Sequence, residues 1–243
     1  MFTHSRQYQV LAVLVLSVLF LGCDSGPPQA LLKAAEQGDA QAQLNLGRIF
    51  EKGRGVPQNH SDAVKWYRLA AEQGNSAAQF LLALMYENGE GVRKNMKEAI
   101  KWYRLAAGQG DAAAQNNLGA IYEEGEEVPL DLAEANKWYL LAAEQGLAHA
   151  QNNLGLNYAK GRGVSRDYHE AVKWFRLAAD QGYSNAQGNM GTSYALGNGV
   201  PKNVEEALRW LRMSANQGNA KAQEDIKTLM QDGYISEEAE DSP

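Results

Sequence analysis

Six asparagines, Asn116, Asn117, Asn152, Asn153, Asn157 and Asn189, recur at equivalent places in successive segments of this chain. A carboxamide both donates and accepts hydrogen bonds, so a row of them suits the main chain of a bound protein better than it suits covalent chemistry. Asparagine is also a poor helix former, and its repeated use on adjacent helices asks for a reason; a polar outer face is the plainer one. The other residues with chemical potential are few. Glu123, Glu124, Glu126 and Glu127 crowd around Gly125, but the Asp-x-Asp-x-Asp-Gly spacing of a calcium loop is absent, which leaves a solvated acidic loop. Beyond the leader the histidines are His60, His149 and His169, with no spacing that joins them as metal ligands. No Gly-x-Ser-x-Gly or Ser-x-x-Lys supplies an activated nucleophile. Gly-x-Gly-Val occurs four times, always between two helical patterns and never after a strand, so a nucleotide-binding loop is not indicated. No cofactor or metal is expected.

The elements that must position these residues follow from a strict period. Trp66, Trp102, Trp138, Trp174 and Trp210 stand 36 residues apart, as do the Gln-Gly pairs beginning at Gln37, Gln73, Gln109, Gln145, Gln181 and Gln217. A fixed period of this length means a solenoid. In each unit a first helix carries Ala-Gln-x-x-Leu-Gly-x-x-Tyr; Ala114, Leu118, Ile121 and Tyr122 follow the i, i+4, i+7, i+8 spacing of one helix face. The glycine in this pattern, at Gly47, Gly119, Gly155 and Gly191, costs about 1 kcal/mol of helix propensity, so a close helix contact must need the missing side chain. Ala83 holds that place in the second unit. Gly53, Gly89, Gly125, Gly161 and Gly197 are placed to end the first helices in the left-handed conformation. The second helix runs through Ala-x-x-Trp-Tyr-x-x-Ala-Ala, and its tryptophans, burying roughly 150 to 250 Å² each, are expected to anchor the core. Asp39, Asn75, Asp111 and Asn219 follow the Gln-Gly pairs as helix caps. The array opens with a half unit, Leu31 to Gly38, and closes with a lone first helix from Ala220, whose Lys221, Asp225, Thr228 and Asp232 give it a polar face.

Composition agrees with a folded array. The formal charge is −6, or −7 once the leader with Arg6 is removed, which disfavours nucleic acid and anionic lipid surfaces as partners. The only cysteine, Cys23, excludes a disulfide framework. Arg6 precedes an apolar run from Val10 to Leu21, long enough for the core of a secretory signal and too short for a comfortable membrane span. Leu19-Phe20-Leu21-Gly22-Cys23 resembles a bacterial lipobox, which implies cleavage before a lipidated Cys23. Asp24 behind it resembles the signal that retains lipoproteins in the inner membrane, implying a periplasmic body tethered there. The expected organisation is a signal peptide over 1–22, lipidated cysteine and linker over 23–29, the repeat array over 30–235, and an acidic tail over 236–243 too poor in apolar residues to pack.

The Ala-x-x-Trp-Tyr unit and its Phe and Leu variants, recurring five times in phase, resemble the Sel-one-like repeat (SLR) family, relatives of the tetratricopeptide repeat. The resemblance implies an all-α, right-handed α/α superhelical solenoid of 36-residue helix-turn-helix repeats, with first helices lining a concave groove. It also implies a non-enzymatic binding scaffold: an immunity protein that neutralises a secreted phospholipase toxin, or an adaptor or regulator of an envelope complex. One SLR subfamily is associated with β-lactam binding or hydrolysis, but it is stapled by paired repeat cysteines that this chain lacks; a cell-wall or β-lactam hydrolase is therefore the alternative. The expected partner face comprises Leu81, Leu84, Asn116, Asn117, Glu124, Asn152, Asn153, Asn157 and Asn189, with Lys160 beside them: leucines to bury, asparagines to bond extended backbone, and glutamate to steer a basic surface. Phe80, Leu81 and Leu84 replace small or polar residues, so their helix is either buried all round or presents an apolar face. Glu127 replaces a turn glycine and would cost about 1 kcal/mol or more if it kept a left-handed backbone.

Overall fold

The computed structural model describes residues 26–231. The leader, Cys23, Asp24 and the acidic tail lie outside the described residues. Twelve α-helices and no strand are found among the described residues. They divide between Lys94 and Asn95 into two compact units. The first holds α1 (Gln29–Glu36), α2 (Ala40–Lys52), α3 (His60–Glu72) and α4 (Ser76–Asn88). The second holds α5 (Met96–Gly108), α6 (Ala112–Glu124), α7 (Leu132–Glu144), α8 (Ala148–Lys160), α9 (Tyr168–Asp180), α10 (Ser184–Leu196), α11 (Val204–Ala215) and α12 (Ala220–Gln231). Within each unit every helix packs on the one that follows it. The chain is thus an α-solenoid of helix-turn-helix repeats.

Local chemistry sets the boundaries. The side chains of Asp39, Asn75 and Asp111 accept from the N–H groups of Ala42, Ala78 and Ala114 at 2.7, 2.9 and 2.8 Å, satisfying donors that a helix start leaves open. Asn59, Asn95, Asp131, Asp167 and Asn203 do the same for the second helices. The first helices α2, α4, α6, α8 and α10 end on the expected left-handed glycines.

The core anchor common to all five repeats is the residue after each tryptophan; of the tryptophans themselves, Trp102 and Trp210 are buried as expected, at 6% and 3% exposed, and the other three are not. Tyr67, Tyr103, Tyr139 and Leu211 are at most 1% exposed and Phe175 is 4% exposed. Trp66, Trp138 and Trp174 are only half-buried. The reason lies in the facing helix, where glycine leaves room for a ring to press on the backbone. A Cβ built on Gly119 would lie 2.6 Å from the Tyr139 ring, and one on Gly155 would lie 2.7 Å from the Phe175 ring.

The recurring glutamines stitch the repeats together. Gln115, 4% exposed, donates to the Ala107 carbonyl at 3.1 Å and accepts from Gln145 at 2.8 Å. Gln151 repeats this with Ala143 and Gln181, and Gln187 with Ala179 and Gln217. A buried carboxamide satisfied on both sides ties a first helix to the helices before and after it.

Glu127 avoids the strain that glycine geometry would impose, because no non-glycine residue has a positive φ among the described residues. Gly163, at φ 68°, crosses the start of α7 so closely that a Cβ would lie 2.5 Å from the Leu132 carbonyl. Glu127 cannot occupy that position, and the turn after α6 takes another path. Both turns keep the bond from the helix-ending glycine, Gly125 N–H to Ile121 and Gly161 N–H to Asn157, but the turn after α8 adds the Arg162 N–H on the Asn157 carbonyl at 2.9 Å.

Candidate protein-binding face

In the second unit the fifth and sixth residues of the first helices form two rows. The fifth-place row reads Asn116, Asn152, Gly188 and Glu224 along α6, α8, α10 and α12; the sixth-place row reads Asn117, Asn153, Asn189 and Asp225. Cap and core set their direction. Asp111 fixes the start of α6, Ala114 and Leu118 are fully buried, and Asn116 and Asn117 between them stay half-exposed.

The rows are bonded from helix to helix. Asn153 Nδ2 reaches Asn116 Oδ1 at 3.5 Å, and Asn189 Nδ2 donates to Asn152 Oδ1 at 2.8 Å. Thr192 Oγ1 continues the line to Asp225 Oδ2 at 3.2 Å. Asn117 Nδ2 donates to the Tyr103 hydroxyl at 3.1 Å. The structure therefore brings together Asn116, Asn117, Asn153 and Asn189, half-exposed, with Asn152 nearly buried between them and bonded to Asn189. Glu124 and Lys160 are exposed at the ends of their helices.

Asn157 does not belong to this face, which corrects the sequence expectation. It is 1% exposed and donates to Asn136 Oδ1 at 2.8 Å, while Asn136 donates to the Arg162 carbonyl at 2.6 Å. The signal was present, since Asn157 stands 36 residues after Ile121, which is on the apolar stripe of α6. Leu81 and Leu84 are half-buried on α4 and belong to the first unit. The asparagine rows belong to the second.

Sequence reasoning also missed Gly188. It interrupts a row that holds asparagine on α6 and α8, and a hollow of about 210 Å³ opens there between α8, α10 and α12. That interruption of the period was the legible clue.

The acidic residues are partly absorbed by the fold. Glu123 receives the Tyr139 hydroxyl at 2.7 Å and Arg162 at 2.9 Å. Burial, followed by the bond to Glu123, pushes the Tyr139 phenol far above its ordinary value. Among the described residues no three His, Cys, Asp or Glu side chains converge to hold a metal ion. No helix there is long and apolar enough to cross a membrane.

A family model described as Sel1 repeat matches residues 40–75, 76–111, 112–147, 148–183 and 184–219. Among solved structures, a Sel1 repeat protein from Oxalobacter formigenes is 37% identical over 79% of this chain and 78% of its own, with a TM-score of 0.74. The protein c5321, a protective antigen present in uropathogenic Escherichia coli strains, is 37% identical over 85% of this chain with a TM-score of 0.80, and the match spans 44% of its length. The immunity protein PA5088 from Pseudomonas aeruginosa shares the fold at 20% identity, with 91% of this chain and 85% of its own covered and a TM-score of 0.52. No curated protein matches the sequence.

Proposed function

This chain belongs to the Sel1 repeat family, and from that premise we propose that it is a non-catalytic scaffold that grips a protein partner on the first-helix face of its second unit, tethered in the bacterial envelope through a lipid on Cys23. The carrying observation is the continuous run of carboxamides on α6, α8 and α10, bonded helix to helix at positions where neither packing nor helix propensity calls for asparagine. Such a surface offers paired donors and acceptors to an incoming main chain. Glu124 and Lys160 at its margin bear on encounter more than on grip. The partner is either a toxin that the face occludes, in keeping with a fold shared with an immunity protein, or a component of envelope machinery.

A pull-down from membranes with the full-length protein identifies the partner and tests the face. Replacing Asn117 and Asn153 together with alanine should weaken capture by about 1 to 3 kcal/mol, while helicity and melting stay near those of the parent. Undiminished capture by that variant, together with loss on replacing the second-helix residues Lys101 and Arg104, would move the binding surface to the second helices.

A further inference from the structure

The hollow at Gly188 has an unspent hydrogen-bonding capacity that points to what it holds. Asn152 lines it and is only 3% exposed. Its Oδ1 is taken by Asn189 Nδ2 at 2.8 Å, but its own Nδ2 bonds no protein group. Asn189 uses one of its two N–H donors there, and its Oδ1 receives none. The other polar groups around the hollow are paired among themselves. Asn219 Oδ1 caps α12 through the Lys221 and Ala222 N–H groups, and its Nδ2 donates to Asn185 Oδ1. Asp225 Oδ2 holds both Lys221 Nζ and Thr192 Oγ1. Among the groups left open are the Asn152 amide donor and the Asn189 carbonyl acceptor, side by side on α8 and α10, with Asp225 Oδ1 on α12. Neither carboxamide atom is among the buried side-chain groups left without a partner, so both reach the surface of the hollow, where an incoming group can bond them.

We infer that Asn152 and Asn189 bond the main chain of one extended residue of a peptide partner, with an adjoining side chain seated in the hollow above Gly188. The N–H and C=O of a residue in an extended strand lie on the same side, as in a hydrogen-bonded pair of a sheet, and this is the complement of the two open carboxamide groups. Leu156 and Ala222 supply apolar wall. A volume of about 210 Å³ admits one side chain and is below the roughly 300 Å³ at which sites for whole small-molecule ligands begin. This inference rests on the scaffold reading and narrows it to one register along the face.

The test uses the full-length protein, labelled with nitrogen-15, and the blocked peptide acetyl-Ala-Val-Ala-Val-Ala-amide. Saturable shifts of the Asn152 and Asn189 side-chain amide resonances are expected. The variant Gly188→Asn restores the residue that α6 and α8 carry and fills the hollow. A Cβ there would lie 3.3 Å from Ser214 Oγ and 3.6 Å from Asn219 Nδ2, so the Ser214 hydroxyl has to give by a few tenths of an ångström and no backbone atom stands in the way. It should keep its melting temperature and lose the peptide at least tenfold, and a peptide N-methylated at each valine should bind at least tenfold more weakly to the parent. The assignment is overturned if the two resonances stay still, if Gly188→Asn binds as the parent does, or if acetate alone moves them equally. Should it fall while the Asn117 and Asn153 variant still loses its protein, the scaffold reading stands without this subsite. If that variant also keeps its protein, both readings fall.

Discussion

The α6–α7 repeat and the α8–α9 repeat stand 36 residues apart and use one backbone plan with different chemistry. Both press a ring on a first-helix glycine, Tyr139 on Gly119 and Phe175 on Gly155. In the first, the ring's hydroxyl needs an acceptor, and Glu123 supplies it. In the second, phenylalanine has no hydroxyl, and Ala159 stands where Glu123 would. Ile121 packs in the first repeat; Asn157 occupies its place in the second and is bonded to Asn136. The substitutions come in matched sets because a buried polar group is tolerated only with its partner.

Removing the shared ring should break both repeats with the largest effect. Tyr139→Ala and Phe175→Ala should each cost about 3 to 5 kcal/mol, read from denaturant melts, because each empties a ring-sized site against a glycine that cannot move in to fill it. A loss at Trp138 exceeding that at Tyr139 would return the anchor to the tryptophans.

The asparagine pair sharpens the comparison at an intermediate scale. Asn157→Ile alone should cost about 1 to 3 kcal/mol, since it leaves Asn136 Oδ1 buried without its donor. Adding Asn136→Ile should recover most of that loss, because isoleucine already fills the equivalent places at Ile121 and Ile100. Simple additivity in this double-mutant cycle would show that the two amides are independent.

Tyr139→Phe is the smallest change and makes the first repeat resemble the second. At neutral pH it should cost about 0.5 to 1.5 kcal/mol, with Glu123 still held by Arg162. The folded phenol titrates above its unfolded value of about 10, so its contribution is complete below that pH and declines as pH rises beyond it. The stability gap between parent and variant should therefore narrow above pH 10 in parallel melts. A constant gap would mean that Tyr139 is not held neutral by its surroundings.

Much of the fold was legible because its causes are local or periodic. Asp111 caps α6 through a bond spanning three residues, and the first-helix glycines announce a close contact whatever their partner. Trp66, Trp138 and Trp174 misled because size was taken for depth. A helix places successive residues about 100° apart, and it is the smaller ring at Tyr139 that faces the glycine. In the candidate face, the asparagine rows were visible as repeats, while the departure of Asn157 from them required its alignment with Ile121 to be read as burial.

By itself the sequence determined the period, the helix ends and the presence of a close-packed glycine face, since these follow from backbone geometry repeated unit by unit. Only the tertiary structure decided which carboxamides are spent and which are open. The Asn189 to Asn152 and Asn153 to Asn116 bonds join residues 37 apart on different helices. Whether they form depends on the spacing between helices, which is set by Tyr139, Phe175 and Leu211 pressing on their glycines. A hydrogen bond is made or lost within a few tenths of an ångström, and no pattern of residue types along the chain carries distance that finely.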